Sequence, residues 1–460
     1  MNESIRNPLA TEKISTLLRQ FAVPSVIAML VSALYNMVDQ FFIGHSIGML
    51  GNAATNVAFP LTTTCTALAL LCGIGGAANF NMSMGRKDPE KARRYMGAAF
   101  SMLITLGVVL CLVVRLFLEP LMISFGATDE TLTYSLIYTG ITSFGFPFLI
   151  LTTGGTNLIR GDGSPKYSMM CNLVGALINT VLDPLFIFVF DMGMAGAAWA
   201  TVIGQFVSGL MVLLYIPRFK TLKLKLHDFG LNPKYCLPIV SLGLTPFFNQ
   251  ISMMVVQIVL NNTMTYYGAL SPYGSDIPLA CSGIIAKVSM IFISIVIGIC
   301  QGMQPIASYN FGARNFKRVK ETIILACKAA LAISVVAFLC FQLFPRQIVG
   351  FFGSGSEEYF QFAERYFRIY MFFVIINFVQ PISSNFFTAV GMPKRGVFLS
   401  LTRQIIFFLP LLIVLPMFMG IDGAMYAAPI ADFIAAVLAV MFIRAQFKAM
   451  PDFNVDEIEA

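Results

Sequence analysis

Residues 16–44 read TLLRQFAVPSVIAMLVSALYNMVDQFFIG. After Arg19 the stretch holds one charged side chain, Asp39. It is longer than the apolar core of a signal peptide, and the fifteen residues before it are polar, so it is expected to stay in the membrane as a first span. A bilayer offers no water to backbone groups, so such a segment is a helix. It meets the roughly 20 residues needed to cross ~30 Å of hydrocarbon at 1.5 Å per residue.

The rest of the chain repeats this pattern. Of 460 residues, 57% are hydrophobic and 12% are charged, against roughly 25% charged in a soluble domain. Further apolar runs fall at 51–82, 95–118, 133–158, 167–190, 194–216, 235–268, 278–310, 320–344, 359–388, 396–419 and 422–445. The spacing predicts an all-α membrane protein of twelve transmembrane helices. The short alternating segments of a β-barrel are absent.

Loop charge alternates. GRKDPEKARR (85–94), the loop with Arg160 and Lys166, PRFKTLKLKLHDFGLNPK (217–234), GARNFKRVK (312–320) and the loop with Lys394 and Arg395 are basic. HSIGMLGN, FDMGMAG, YGALSPYGSD and MGIDG carry no Lys or Arg; Arg115 and Arg346 are the exceptions on that side. By the positive-inside rule the basic loops and both termini are cytoplasmic, in a cell (inner) membrane. The net charge of +7 then reflects topology, and no nucleic-acid partner is implied.

The second half repeats the first at an offset of about 227 residues. GRKDPEKARRYM recurs as GARNFKRVKETI, GDGSPKY as AVGMPKRG, and AGAAWAT as DGAMYAA. Each half has six spans, so both share one orientation, as two pseudo-symmetric six-helix bundles related by an axis along the membrane normal. The expected division is a cytoplasmic segment 1–15, an N-lobe 16–217, a linker 218–234, a C-lobe 235–447 and a cytoplasmic tail 448–460. Two lobes flanking a cleft can rock to open it on either side. No GxxxxGK[ST] loop occurs, so ATP is not expected as the direct energy source, and an ion gradient remains.

Ionisable groups inside spans are costly and mark function by default. Span 1 carries Tyr35 and Asp39, one helical turn apart; span 5 carries Asn179 and Asp183; span 6 carries Thr201 and Gln205; span 4 carries Tyr138. The direction of each span puts all of them at one depth, in the outer part of the N-lobe. Two carboxylates with an amide and a hydroxyl make an oxygen cage for Na⁺, or a proton-binding pair. The alternative is that each acid caps a helix end or pairs locally near the interface.

The carboxylate pair is not repeated in the C-lobe. Lys287 and Asp432 stand near the middle of spans 8 and 12, suited to an ion pair or to a part in the transport cycle, and Asn249, Gln250 and Gln257 on span 7 are candidates to line the cleft. Pro24 removes a backbone donor inside span 1, so a bend is expected there, either static or as a hinge linked to Asp39. The nine cysteines lie almost all in apolar runs, and His45 and His227 are the only histidines. No cofactor, catalytic centre or metal is expected, apart from Na⁺ as a coupling ion at Asp39, Asn179, Asp183 and Thr201.

PSVIAMLVSALYNMVDQFFIGH (24–45), LIRGDGSPKY (158–167), NTVLDPLFIF (179–188) and GMAGAAWATVIGQ (193–205) together resemble the MATE family, multidrug and toxic compound extrusion, in its bacterial DinF- and MepA-like branch. The resemblance covers nearly the whole chain. It implies a V-shaped pair of six-helix bundles that exports small organic cations, antibiotics among them, by H⁺ or Na⁺ antiport with alternating access. It also implies that the family's N-lobe ion site falls on Asp39, Asn179, Asp183 and Thr201. Another branch uses acids on spans 7 and 10; here those regions read FFNQISMMVVQ and IINFVQPISS, so no such C-lobe cation site is expected. With 26 Met and 43 Phe, the cleft is expected to offer adaptable apolar walls. The working unit is expected to be a monomer in the bilayer. A flippase for lipid-linked saccharides is the alternative transporter; a membrane enzyme would need a His, Ser or metal constellation, and a channel or receptor has no need of the repeat with its single-lobe acids.

Overall fold

A computed structural model of the chain describes residues 7–274, 276–352 and 356–451. Among the described residues, eleven helices are long and apolar enough to cross a membrane: Ile14–Ser46, Leu50–Gly85, Pro89–Leu116, Asp129–Gly161, Pro165–Val189, Gly193–Arg218, Pro233–Ala269, Asp276–Gly312, Phe316–Leu343, Pro393–Met419 and Ile421–Ala449. A twelfth, numbered span 10 in chain order, is a broken pair, Glu357–Tyr370 and Val374–Ala389, bent by 42°. The expected single helix over 359–388 is therefore interrupted at residues 371–373. No Gly or Pro stands at the break, and Pro381 comes eight residues later. Apolar side chains cover the outer faces: Val109, Leu112, Leu116, Val181 and Val189 are exposed, a surface that needs lipid as solvent.

The spans gather into two lobes. Span 1 packs on span 5, span 5 on span 6, and span 2 on spans 3 and 4; correspondingly, span 7 packs on span 11, span 11 on span 12, and span 8 on spans 9 and 10. The lobes meet where span 1 lies along span 8 and span 2 along span 7. Small residues permit this approach. A side chain on Gly298 or Gly302 would overlap the span 1 backbone at Val26 or Ala22, on either side of Pro24. Span 1 continues as one helix through Pro24.

The lobes are also in close contact at the basic-loop end. Gly85 and Gly312, repeat counterparts, pack reciprocally: a methyl on Gly85 would meet the Tyr309 carbonyl, and one on Gly312 the Met82 carbonyl. Inter-lobe hydrogen bonds follow the same seam, from Gln304 Nε2 to the Ile74 carbonyl (3.0 Å) and from Asn79 Nδ2 to the Pro238 carbonyl (3.1 Å). The segment before span 1 crosses to the other lobe, where Arg318 Nη2 donates to the carbonyls of Leu9 (3.1 Å) and Glu12 (2.6 Å). The linker before span 7 is held on the N-lobe: Asp162, buried after span 4, accepts from Lys220 N (2.7 Å) and Thr221 N (3.0 Å).

Candidate functional site

Four helices of the N-lobe converge on two carboxyls. Span 1 presents Tyr35 and Asp39 from one face, because a spacing of four residues is about one turn. Span 5 does the same with Asn179 and Asp183, and span 6 with Thr201 and Gln205. Asp183 and Asn179 are buried, as are Asp39 and Tyr138. These groups stand about six to twelve residues from the loop ends of their helices opposite the basic loops, about 9–18 Å at 1.5 Å per residue.

The carboxyls of Asp39 and Asp183 lie within hydrogen-bonding reach of each other. Asn179 bridges the second acid to span 6. With its amide nitrogen on Asp183 Oδ2 (3.2 Å), its oxygen accepts from Thr201 Oγ1 and from the Thr201 backbone N–H, both at 3.2 Å. The Tyr138 phenol lies near Thr201, and both it and the Tyr35 phenol lie beside the carboxyl pair. Asp39 Oδ1 is sealed from solvent without a hydrogen-bond partner, as is Gln205 Oε1, which faces Gly145. No ion pair to either acid occurs among the described residues.

Two acids in contact without a counter-cation form a receptor for positive charge. A carboxyl facing a carboxyl requires a shared proton or a bound cation between them. The remaining donors are an amide oxygen and hydroxyls, an all-oxygen set that fits a hard cation such as Na⁺ as well as it fits a proton. Among the described residues no group of three or more His, Cys, Asp or Glu is arranged for a multivalent metal.

The C-lobe differs from expectation. Asp432 is not partnered by Lys287, which is exposed on span 8. Its partner is Arg403 of span 11, whose Nε donates to Asp432 Oδ1, and Asn377 Nδ2 donates to the other oxygen (3.3 Å). The reason is packing: span 12 lies against spans 7, 10 and 11. Gln257 donates along its own helix to Asn261 (2.9 Å), and Asn249 and Gln250 are half-buried. Arg403, Asn377 and Tyr370 were overlooked in the sequence. Arg403 had a readable signal, since it stands well inside an apolar run.

Residues 24–185 and 248–414 match the model of the MatE family. The multidrug export protein MepA of Staphylococcus aureus (strain MSSA476) is 24% identical over 424 residues, 92% of each chain. Among solved structures, an outward-facing multidrug resistance MATE family transporter of the MOP superfamily superposes with a TM-score of 0.90 at 21% identity, over 98% of this chain and 99% of that one. A MOP superfamily transporter from Pyrococcus furiosus, whose binding pocket has reversed polarity suggesting a different function, superposes equally well, with a TM-score of 0.90, 21% identity and the same coverage. Identity at this level establishes the fold.

Proposed function

The chain belongs to the MatE family, and from that premise we propose that it exports drug-like organic cations across the membrane by H⁺ or Na⁺ antiport. One observation carries this reading: the buried Asp39–Asp183 pair, held by Asn179, Thr201 and Tyr138 without a counter-cation. A cation entering from the side opposite the basic loops neutralises the pair. Bound drug then loses its electrostatic hold and departs to that side. The lobes rock about the span 1–span 8 and span 2–span 7 seams, and the ion is released to the other face.

Pro24 lies where this change reaches the seam. It leaves the Gln20 carbonyl without its intrahelical donor, between the contacts of Ala22 and Val26 with span 8. We assign it as the hinge of span 1. The acids favour cationic cargo over a lipid-linked saccharide, whose phosphates would be repelled.

The energy suffices. In a one-for-one exchange of monovalent cations no net charge crosses and the voltage cancels, so an ion gradient of about tenfold, worth about 1.4 kcal/mol, supports a roughly tenfold drug gradient. The test is ethidium transport in proteoliposomes under separately imposed pH and sodium gradients. One of the two gradients should drive transport, and that drive should vanish in Asp39→Asn. Ethidium movement indifferent to both gradients would remove the antiport reading.

A further inference from the structure

Span 9 carries a charge that neither the cation-coupling site nor the packing of the lobes uses. Its apolar run, residues 322–344, follows Glu321, the one acid of the span, and holds a single charged side chain, Lys328. Lys328 stands seven residues beyond Glu321, roughly 10 Å into that run. It is exposed, and so are Ile324, Leu331 and Val335 on the same helix face. That face is otherwise apolar and turned to lipid. Lys328 makes no hydrogen bond or ion pair among the described residues. An ionisable side chain at membrane depth is costly and marks a site whose partner has to be named.

Beside Lys328 the surface is hollow. A groove of about 250 Å³ runs between spans 9, 10 and 12, walled by Ile323, Cys327, Phe378, Ile443 and Phe447, with Lys328 as its one charged lining residue. Lys320, two turns nearer the basic-loop end of span 9, ties that end to span 12. Its Nζ donates to the Met450 carbonyl (2.9 Å) and lies over the Phe447 ring, 5.9 Å from the centroid. Arg444 is exposed on span 12, three residues before Phe447. The groove is therefore apolar along its walls and cationic towards the basic-loop side.

The N-lobe counterpart of this surface is covered. Pairing Gly85 with Gly312 sets Gly97 opposite Ile324 and Ser101 opposite Lys328. On span 3 the linker lies over these two positions: a methyl on Gly97 would strike the Asp228 carbonyl, and Gly230 N donates to Ser101 Oγ (3.0 Å). In the C-lobe, Ile324 puts a branched side chain where such a strap would pass, so the position no longer suits a backbone. The space is lined with apolar groups and a cation has been added. The occupant that matches is a lipid, with an acyl chain against the apolar walls and its headgroup above. The long Lys stem lets the ammonium rise towards the headgroup layer, where it meets negative charge.

We propose that the groove between spans 9, 10 and 12 binds an anionic phospholipid of the basic-loop leaflet, with Lys328 on its phosphate. A zwitterionic lipid offers the same chains, but its own cation offsets the attraction, so the site selects headgroup charge. The site stands apart from the drug-export reading and does not depend on it.

The test is native mass spectrometry of the purified full-length protein, titrated with phosphatidylglycerol or with phosphatidylcholine of identical chains. The wild type should bind the first phosphatidylglycerol more tightly than the first phosphatidylcholine. Lys328→Met makes span 9 more apolar, so membrane insertion is not at risk. It should lower that preference about fivefold, the loss of one lysine at an anionic lipid, and leave phosphatidylcholine binding unchanged. Lys328→Arg should keep the preference. Lys223→Met, which removes an exposed linker charge on the same side, should also keep it. A wild type without the preference overturns the inference. So does a preference that survives Lys328→Met, as it would if another part of the chain filled the groove, or one that falls equally in Lys223→Met, which would mark a diffuse effect of surface charge.

Discussion

Asp183→Asn separates ion coupling from folding more cleanly than any other single change. Asp183 is wholly buried, so the replacement must fit the same volume, and Asn does. Its amide nitrogen can donate to Asp39, as a protonated Asp183 would, so the variant imitates the ion-loaded site without any ion bound. Insertion should persist, and the drug should bind about tenfold more weakly than to wild type, as it does to the ion-loaded site. The gradient contribution should vanish. The steady-state ratio that a one-for-one exchange supports, roughly tenfold for an ion gradient of about tenfold, should collapse towards unity. The assay is ethidium accumulation in inverted proteoliposomes with an imposed gradient of the coupling ion, beside equilibrium binding to the same purified sample. A variant that binds drug and still accumulates it at more than half the wild-type ratio would refute the reasoning.

Asn179→Ala removes the bridge between Asp183 and Thr201 and should weaken coupling-ion affinity by about 1–3 kcal/mol, roughly 5- to 150-fold, read as a rise in the ion concentration for half-maximal transport. Arg403→Leu alone strands Asp432 inside the membrane and should destabilise the protein by about 3–5 kcal/mol, while Arg403→Leu with Asp432→Leu should recover most of that; thermal unfolding in detergent gives the order. Gly85→Val places a side chain against the Tyr309 carbonyl and should hold the basic-loop end open, raising maleimide labelling of a cysteine introduced at Met82. Pro24→Ala returns a donor to the Gln20 carbonyl and should slow transport while sparing drug binding; unaltered transport would dismiss Pro24 as a hinge.

Much of the architecture is readable because a bilayer imposes few solutions. An apolar run of fixed minimum length, bounded by charge or turn residues, has to be a helix, so the predicted spans differ from the observed helices by only a few residues at most ends. The N-lobe cluster was accessible for a related reason. Span direction and residue position give depth, and depth brought Asp39, Asp183, Tyr138 and Thr201 into one layer before any contact was known. What depth cannot supply is azimuth. Lys287 and Asp432 share a depth, yet they stand on helices that do not pack together, and Arg403 faces Asp432 because spans 11 and 12 are neighbours. The break in span 10 was hidden for a different reason. The residues there, Met371 to Phe373, are ordinary helix or membrane residues, and no local propensity marks a break.

The central claim is that Asp39 and Asp183 carry the coupling ion, and reversed coupling tests it most directly. Proteoliposomes loaded with ethidium, with no ion gradient imposed, should take up the coupling ion as the drug leaves, and this uptake should be absent when both acids are replaced by asparagine. Drug-driven ion uptake that survives in the doubly substituted protein would contradict the account.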